Sequence, residues 1–480
     1  MWRTLLALVT TGFLLVSIGG NVILFRQAAQ NAADADRLRA RARAAEDAQA
    51  ALQAQLDQLR AQGQGTGATA QPQGGSGASA PPSVPGSSVG VPSPGGPDRR
   101  LLLLIEDQVV AIRGLPKKAD VPLKFLDQAA LRQYFVQSFE KDYLPQERES
   151  DQKLLQTLGY VRPSENLVAI LLDLLQEQVI GTYNEDEKAM YLVGDQAQFG
   201  TEEKVTFAHE FNHALQDQSF DLNLLAPKHG GNNDRSLAVH ALVEGDAVLL
   251  QRLWAQDNLT QSEIQQLGQG GDTSKLDQAP LIVQAELLFP YTEGFAFVRD
   301  AYQRGGYKAV DDVFRNPPDS TEQILHPEKY RSREKPVDVR LPDLAQQLGA
   351  GWRKIDENTL GELDLRIWLQ QYGDRGRATQ AAAGWGGDRW QLLEQAGKQA
   401  IALRTTWDTE NDAREFFDAY TSGLANRFKG AQQEAASPMR QALTATDAAT
   451  DVRRNGKDVL IVVSFDRDSA DSLTNAVGGF

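Results

Sequence analysis

The chain has 480 residues, no cysteine and only five histidines. Without cysteine there can be no disulfide framework, thiolate zinc site, iron–sulfur cluster or cysteine nucleophile. Any metal or acid–base chemistry must be built from carboxylates, water and some of His209, His213, His229, His240 and His326. The lack of cysteine does not fix a compartment, because disulfide-free proteins occur on either side of a bacterial-type membrane. The length exceeds what one hydrophobic core usually fills, which predicts at least two folded units.

The net charge is −15, from 49 Lys and Arg against 64 Asp and Glu. Residues 1–100 hold nine Arg and six acids, so residues 101–480 carry −18. An acidic body of this kind repels phosphate backbones and argues against nucleic-acid binding. Leu5 to Phe25 is an uncharged stretch of 21 residues, about 31 Å as a helix and long enough to cross a hydrocarbon core. A cleaved signal peptide would have a shorter apolar region ending in small residues. Arg26 closes this stretch instead, so residues 1–26 are expected to form a single-pass transmembrane anchor. Leu38, Ala45, Leu52 and Leu59 recur every seven residues with Ala42, Gln49 and Leu56 between them, predicting a helical stalk or weak coiled coil over 27–62 that offers a route to self-association. Residues 63–100 are rich in Gly, Ser, Pro, Ala and Gln and read as a disordered linker. The arginines after the anchor favour a cytoplasmic body by simple count. Anchor, stalk and tether in series favour a folded body standing off the cell membrane on its outer side, and the extracytoplasmic orientation is the expectation adopted.

From Leu101 the chain reads as a mostly helical α+β protein, with a body over 101–344 and a smaller α+β unit over 345–480. Helical spacing appears in Ala129 to Tyr143, Leu154 to Leu158, Leu167 to Gln176, Glu202 to Gln218, Arg235 to Asp257 and Leu281 to Arg304, the last kinked or started by Pro290. Val179 to Tyr183 and Ala189 to Val193 flank a polar turn and predict a β-hairpin or two neighbouring edge strands. Trp390 to Leu393, Ala400 to Trp407 and Val459 to Phe465 read as strands, and Thr409 to Phe428 as a helix.

The most specific motif is His209-Glu210-Phe211-Asn212-His213. Residues four apart lie on one helix face, so both imidazoles can reach one metal ion, while Glu210 projects to the side where it can take a proton from metal-bound water. A catalytic zinc usually has three protein ligands. Glu244 fits the third place: with Asp246 and Gly245 it interrupts an otherwise apolar helix, and burying such charges requires compensation. Gly245 weakens that helix and points to close approach of another backbone. His240, one turn before Glu244, is the rival ligand or a supporting neighbour. Asp217, one turn beyond His213, and Asp246 are the expected carboxylates behind the ligands.

A histidine pair with a downstream helical glutamate resembles the gluzincin group of zinc metallopeptidases, which have a thermolysin-like architecture. The strings HEFNHALQDQ, ALVEGDA, FPYTEGFAFV and STEQILHPEKY resemble more closely a family of largely uncharacterised bacterial zincin-like proteins. GWGGDRW and TWDTENDAREF extend that likeness into the carboxyl-terminal unit. The resemblance implies a zincin-like fold, with a helical subdomain and a small edge sheet above the active-site helix, and a Zn2+ cofactor with a glutamate ligand. By analogy His326, Tyr291 or Tyr330 would donate a hydrogen bond to the oxyanion. Two departures stand out: 30 residues separate His213 from Glu244, a longer gap than in thermolysin-like enzymes, and Asp246 follows the glutamate by two residues rather than four. His229, in a polar Gly-flanked loop, reads as a surface residue.

Together these readings predict a membrane-anchored zinc peptidase, with His209, His213 and Glu244 on the metal, Glu210 as base, His326 as a catalytic candidate, and a peptide or protein substrate added to an exposed edge of Ala189 to Val193. The alternatives are a non-catalytic zincin-fold binding or scaffold protein, and a structural zincin domain whose carboxyl-terminal unit recognises a partner.

Overall fold

The structure, a computed structural model, describes residues 99–175, 181–193, 199–225, 231–267 and 273–480. The expected anchor, stalk and nearly all of the expected linker lie outside the described residues, as does His229. Helix α1 (Arg99–Arg113) begins two residues inside the expected linker. Its apolar residues supply the reason: Leu102, Ile105 and Val109 form a buried stripe at helical spacing.

After α1 come strand β1 (Leu123–Leu126), helices α2 (Gln128–Asp142), α3 (Pro145–Leu158) and α4 (Leu167–Leu175), and strands β2 (Gly181–Asn184) and β3 (Ala189–Val193). Next are helices α5 (Thr201–Phe220), α6 (Asn233–Asn258) and α7 (Leu281–Phe289), one π-helical turn (Pro290–Gly294), and α8 (Phe295–Arg315). Helix α6 is started by Asn232, whose side chain accepts from Arg235 N. Pro290 does not break its helix. The backbone passes through the π turn and departs from helical geometry further on, at Gly305 and Gly306.

Strands β2 and β3 form the expected hairpin, but β3 is not an edge. The small sheet runs β1-β3-β2, with β1 parallel and β2 antiparallel to β3. The edge expected at Ala189 to Val193 is therefore covered on both sides, and β2, buried along its length, packs against α5.

The carboxyl-terminal part is a seven-stranded antiparallel sheet in the order β4-β5-β6-β10-β9-β8-β7. Its strands are β4 (Trp352–Asn358), β5 (Trp385–Gln395), β6 (Lys398–Trp407), β7 (Gln432–Ser437), β8 (Arg440–Thr444), β9 (Ala449–Asn455) and β10 (Asp458–Ser464). Helices α9 (Gly361–Tyr372), α10 (Arg375–Ala382), α11 (Glu410–Arg427) and α12 (Arg467–Val477) accompany it. Ala396 and Gly397, both at positive φ, make the tight turn between β5 and β6. Helix α11 is capped by Thr409 and Asp412, which satisfy each other's backbone N–H groups.

One buried apolar cluster runs across position 345, joining Phe135 and Phe139 of α2 to Trp368, Trp385, Trp390, Trp407 and Phe416. Trp368 stacks on Tyr420 and donates its indole N–H to Leu158 O at 3.1 Å. The strings STEQILHPEKY and GWGGDRW are joints in this assembly. Thr321 donates its backbone N–H and its hydroxyl to Asp234 at the start of α6. Asp388 accepts from the Leu360 and Gly361 amides at 2.8 Å each. Gly361 has a φ of +85°, and a Cβ there would sit 1.9 Å from Asp234 Oδ1.

Among the described residues, one helical region, Leu281–Arg315, is long and apolar enough to cross a membrane. It is mostly buried by the helices around it, as a core helix would be.

Helix α6 and the π turn touch backbone to backbone. A Cβ on Gly245 would lie 2.4 Å from Gly294 O, and one on Gly294 would lie 2.3 Å from Ala241 O. This is the close approach that Gly245 announces in the sequence. Gly245→Ala is expected to force these backbones apart and cost about 3 kcal/mol of stability. Thermal or urea unfolding of the full chain reads this directly, and an unchanged midpoint would contradict the close packing.

Candidate metal centre

Helices α5 and α6 pack against each other and bring three side chains to one point. Ligand atoms of His209, His213 and Glu244 all lie within 4.8 Å of one another, and all three residues are buried. His209 Nε2 is 3.1 Å from His213 Nε2. Glu244 Oε2 is 3.3 Å from His209 Nε2, and Glu244 Oε1 is 3.5 Å from His213 Nε2.

The far side of each imidazole is held by an amide oxygen. Gln251 Oε1 lies 2.9 Å from His209 Nδ1, and Gln216 Oε1 lies 2.8 Å from His213 Nδ1. Each Nδ1 therefore carries a hydrogen, which turns the lone pair of each neutral ring toward the other Nε2. Two lone pairs facing each other beside a carboxylate repel unless a positive charge lies among them. Glu244 Oε2 is buried without a hydrogen-bond donor, as a ligand atom would be. The donor set of two imidazole nitrogens and a carboxylate oxygen is that of zinc. The residues present thus fit the ion.

A proton can supply the charge instead. Burial works to lower the His213 pKa, but the Glu244 carboxylate outweighs it and the pKa rises to about 9. Burial likewise works to raise the Glu244 pKa, and His213 and His209 pull it well below the usual carboxylate range. Both shifts describe the same attraction.

Glu210 is buried on the same helix, and its Oε2 accepts from Tyr183 N of β2 at 2.7 Å. Burial raises its pKa, partly countered by His209 and His213. Tyr291, in the π turn, is also buried and hydrogen-bonds Glu244. The Gly245–Gly294 contact places it there.

Other expected site residues lie elsewhere. Asp217 accepts from the Tyr183 hydroxyl, from Lys188 Nζ at 2.6 Å and from Leu222 N, so it does not orient an imidazole. The imidazole in question is held by Gln216, three residues after His213 and so on its face of the helix. Asp246 touches no histidine directly; its Oδ2 accepts from Gln216, Asn212 and Arg113. His240 is buried with Nε2 unpartnered, and desolvation lowers its pKa to about 4. It is a neighbour of the centre, outside the three-residue ligand group.

His326 is bound to Glu362 at 2.9 Å and has no contact with the histidine pair. That hydrogen bond, with the Glu362 charge, raises its pKa. Tyr330 donates to Asn316 O. Of the three oxyanion candidates only Tyr291 reaches the centre. A second carboxylate group, Glu322, Glu334 and Asp408, already surrounds Lys329 Nζ at 2.5–2.9 Å, so its cation is the lysine.

Sequence reading missed Gln216, Gln251, Arg113 and the Tyr183 amide. Helical spacing carries a signal for the two glutamines, at three residues from His213 and seven from Glu244. For Arg113 and Tyr183 the sequence offers none.

The profile of a domain of unknown function, DUF8575, matches residues 346–474, which excludes the metal centre. A crystal structure described as "a putative hydrolase with a novel fold", from Chloroflexus aurantiacus, is similar at 17% identity and a TM-score of 0.34, over 49% of this chain and 88% of that one. No curated protein matches the chain.

Zinc entering the centre must displace the His213 proton below about pH 9. Zinc affinity is therefore expected to rise about tenfold per pH unit between pH 6 and 8. The metal-free protein is expected to lose stability as pH rises from the ordinary histidine value through about 9, because the pKa raised in the folded state favours folding only while the proton is bound. Chelator competition at several pH values checks the first expectation, and a pH-independent affinity would contradict it.

Proposed function

We propose that the chain is a zinc-dependent peptidase, with zinc held by His209, His213 and Glu244. The observation that supports this reading is the 3.1 Å approach of two Nε2 atoms beside a buried carboxylate. Zinc at these atoms supplies a Lewis acid for the scissile carbonyl and lowers the pKa of a water molecule.

The chain's own groups do the rest. Tyr183 N occupies Glu210 Oε2, so Oε1 is the atom that takes the proton of the attacking water and passes it to the leaving amine. The raised pKa of Glu210 brings it closer to the range in which a carboxylate both accepts and returns a proton near neutrality. Tyr291 is the hydroxyl placed to donate to the oxyanion. The covered strand β3 is not the element to which an extended stretch of substrate adds.

Glu210→Gln is expected to retain zinc and to lose hydrolysis by at least about a hundredfold, since general base catalysis contributes 10²–10⁴. Peptide-library cleavage and metal analysis of wild type and variant test this. Unchanged turnover would overturn the mechanism, and zinc without any cleavage by the wild type would favour the binding-protein alternative.

The same proposal attaches the enzyme to the cell membrane through Leu5 to Phe25, with the body outside. Protease added to intact cells is then expected to degrade the body; protection until lysis would reverse the orientation.

A further inference from the structure

Behind His213 a line of hydrogen bonds leads to a different helix. Gln216 Nε2 donates to Val243 O at 3.0 Å and to Asp246 Oδ2 at 2.7 Å. The same Asp246 oxygen accepts from Arg113 Nε, at the end of α1, at 2.9 Å and from Asn212 Nδ2 at 3.3 Å. Arg113, Asp246 and Gln216 have no exposed surface. Arg113 also reaches Asp311 Oδ1 at 2.7 Å and lies over the Tyr307 ring.

An amide accepts at one end and donates at the other. With Val243 O and Asp246 Oδ2 both requiring donors, Gln216 can turn only its oxygen toward the imidazole. That oxygen holds the hydrogen on His213 Nδ1 and leaves Nε2 for a ligand bond. Arginine keeps its protons under all ordinary conditions and cannot act as an acceptor. Its bond to Asp246 therefore fixes the carboxylate as the accepting partner. Without that accepting oxygen Gln216 could rotate, and its NH2 would meet Nδ1 and favour the wrong tautomer.

We propose that Gln216 is a positioning residue that locks His213 in its metal-binding tautomer, and that Asp246 and Arg113 act on the metal through it. This rests on the metal reading above. It gives helix α1, more than a hundred residues upstream, a direct part in building the centre. It also gives His213 a neutral partner in place of the carboxylate expected from Asp217. The ligand therefore stays a weaker donor, and the metal keeps more of its acidity.

The test compares the full-length wild type with Gln216→Met, which removes the amide, and Asp246→Ala, which removes the oxygen that accepts from Gln216 and Arg113. Zinc affinity is measured by chelator competition, ligand geometry by the visible spectrum of the cobalt-substituted protein, and the fold by melting of each metal-free form. Both variants are expected to bind zinc 10–100-fold more weakly and to shift the cobalt bands. Should Gln216→Met fail to fold, Asp246→Ala carries the test. Variants that melt lower but bind zinc as tightly as the wild type would overturn the proposal while leaving the metal reading intact. A wild type that binds no zinc would overturn both.

Discussion

The structure depends on an electrostatic demand in a dry place. Two imidazoles and a carboxylate meet at 3.1–3.5 Å between two buried helices, and such a group is stable only with one positive charge at its centre. A proton on His213 meets that demand and so does a divalent cation; nothing else within the group can. A proton and a metal would therefore compete for one position, which would make pH a direct lever on the site. The three groups cannot relax apart, because each is carried on a helix fixed by packing on its other faces.

That fixation comes from a small steric feature. Gly245 and Gly294 let α6 and the π turn touch backbone to backbone, which seats Tyr291 against Glu244. The π turn begins at a proline, whose missing N–H and fixed φ suit the place where regular helical bonding is interrupted. A glycine on one helix and a Pro-to-Gly turn on the next thus form one device for bringing a phenol to a buried carboxylate. Neither half would make sense as a local feature of its own helix, where glycine only weakens and proline only interrupts.

What was legible in the sequence follows from how local the cause is. His209, Glu210 and His213 lie on one helical turn, so their spacing alone brings them together. Glu244 and Gly245 stand out as a charge and a gap in an apolar helix. The covering of β3 was hidden because its parallel partner β1 comes from about 65 residues upstream, and nothing in either strand names the other. Strands β4, β7, β8 and β9 were missed for a different reason. They have few residues of high strand propensity, and β7 is largely exposed at an edge. Their pairing is imposed by turns and by the central strands β6 and β10. His326 shows the converse error: a histidine in a conspicuous string serves a joint, binding Glu362 at the start of α9, where chemistry had been expected.

The residues behind the histidine pair are hard to read from sequence because their roles are relational. Gln216 could present either end of its amide to His213, and its own neighbours in sequence do not decide which. The choice is made by Val243 O and by Asp246, and Asp246 in turn is held by an arginine 133 residues earlier in the chain. A polar network of this kind is worth more satisfied than the sum of its bonds and is costly when half satisfied. Packing α1 onto α5 and α6 thus completes a hydrogen-bond chain that ends at Nδ1 of His213. The order of dependence runs from tertiary packing to amide orientation to the tautomer of His213, with the histidine motif as its last link.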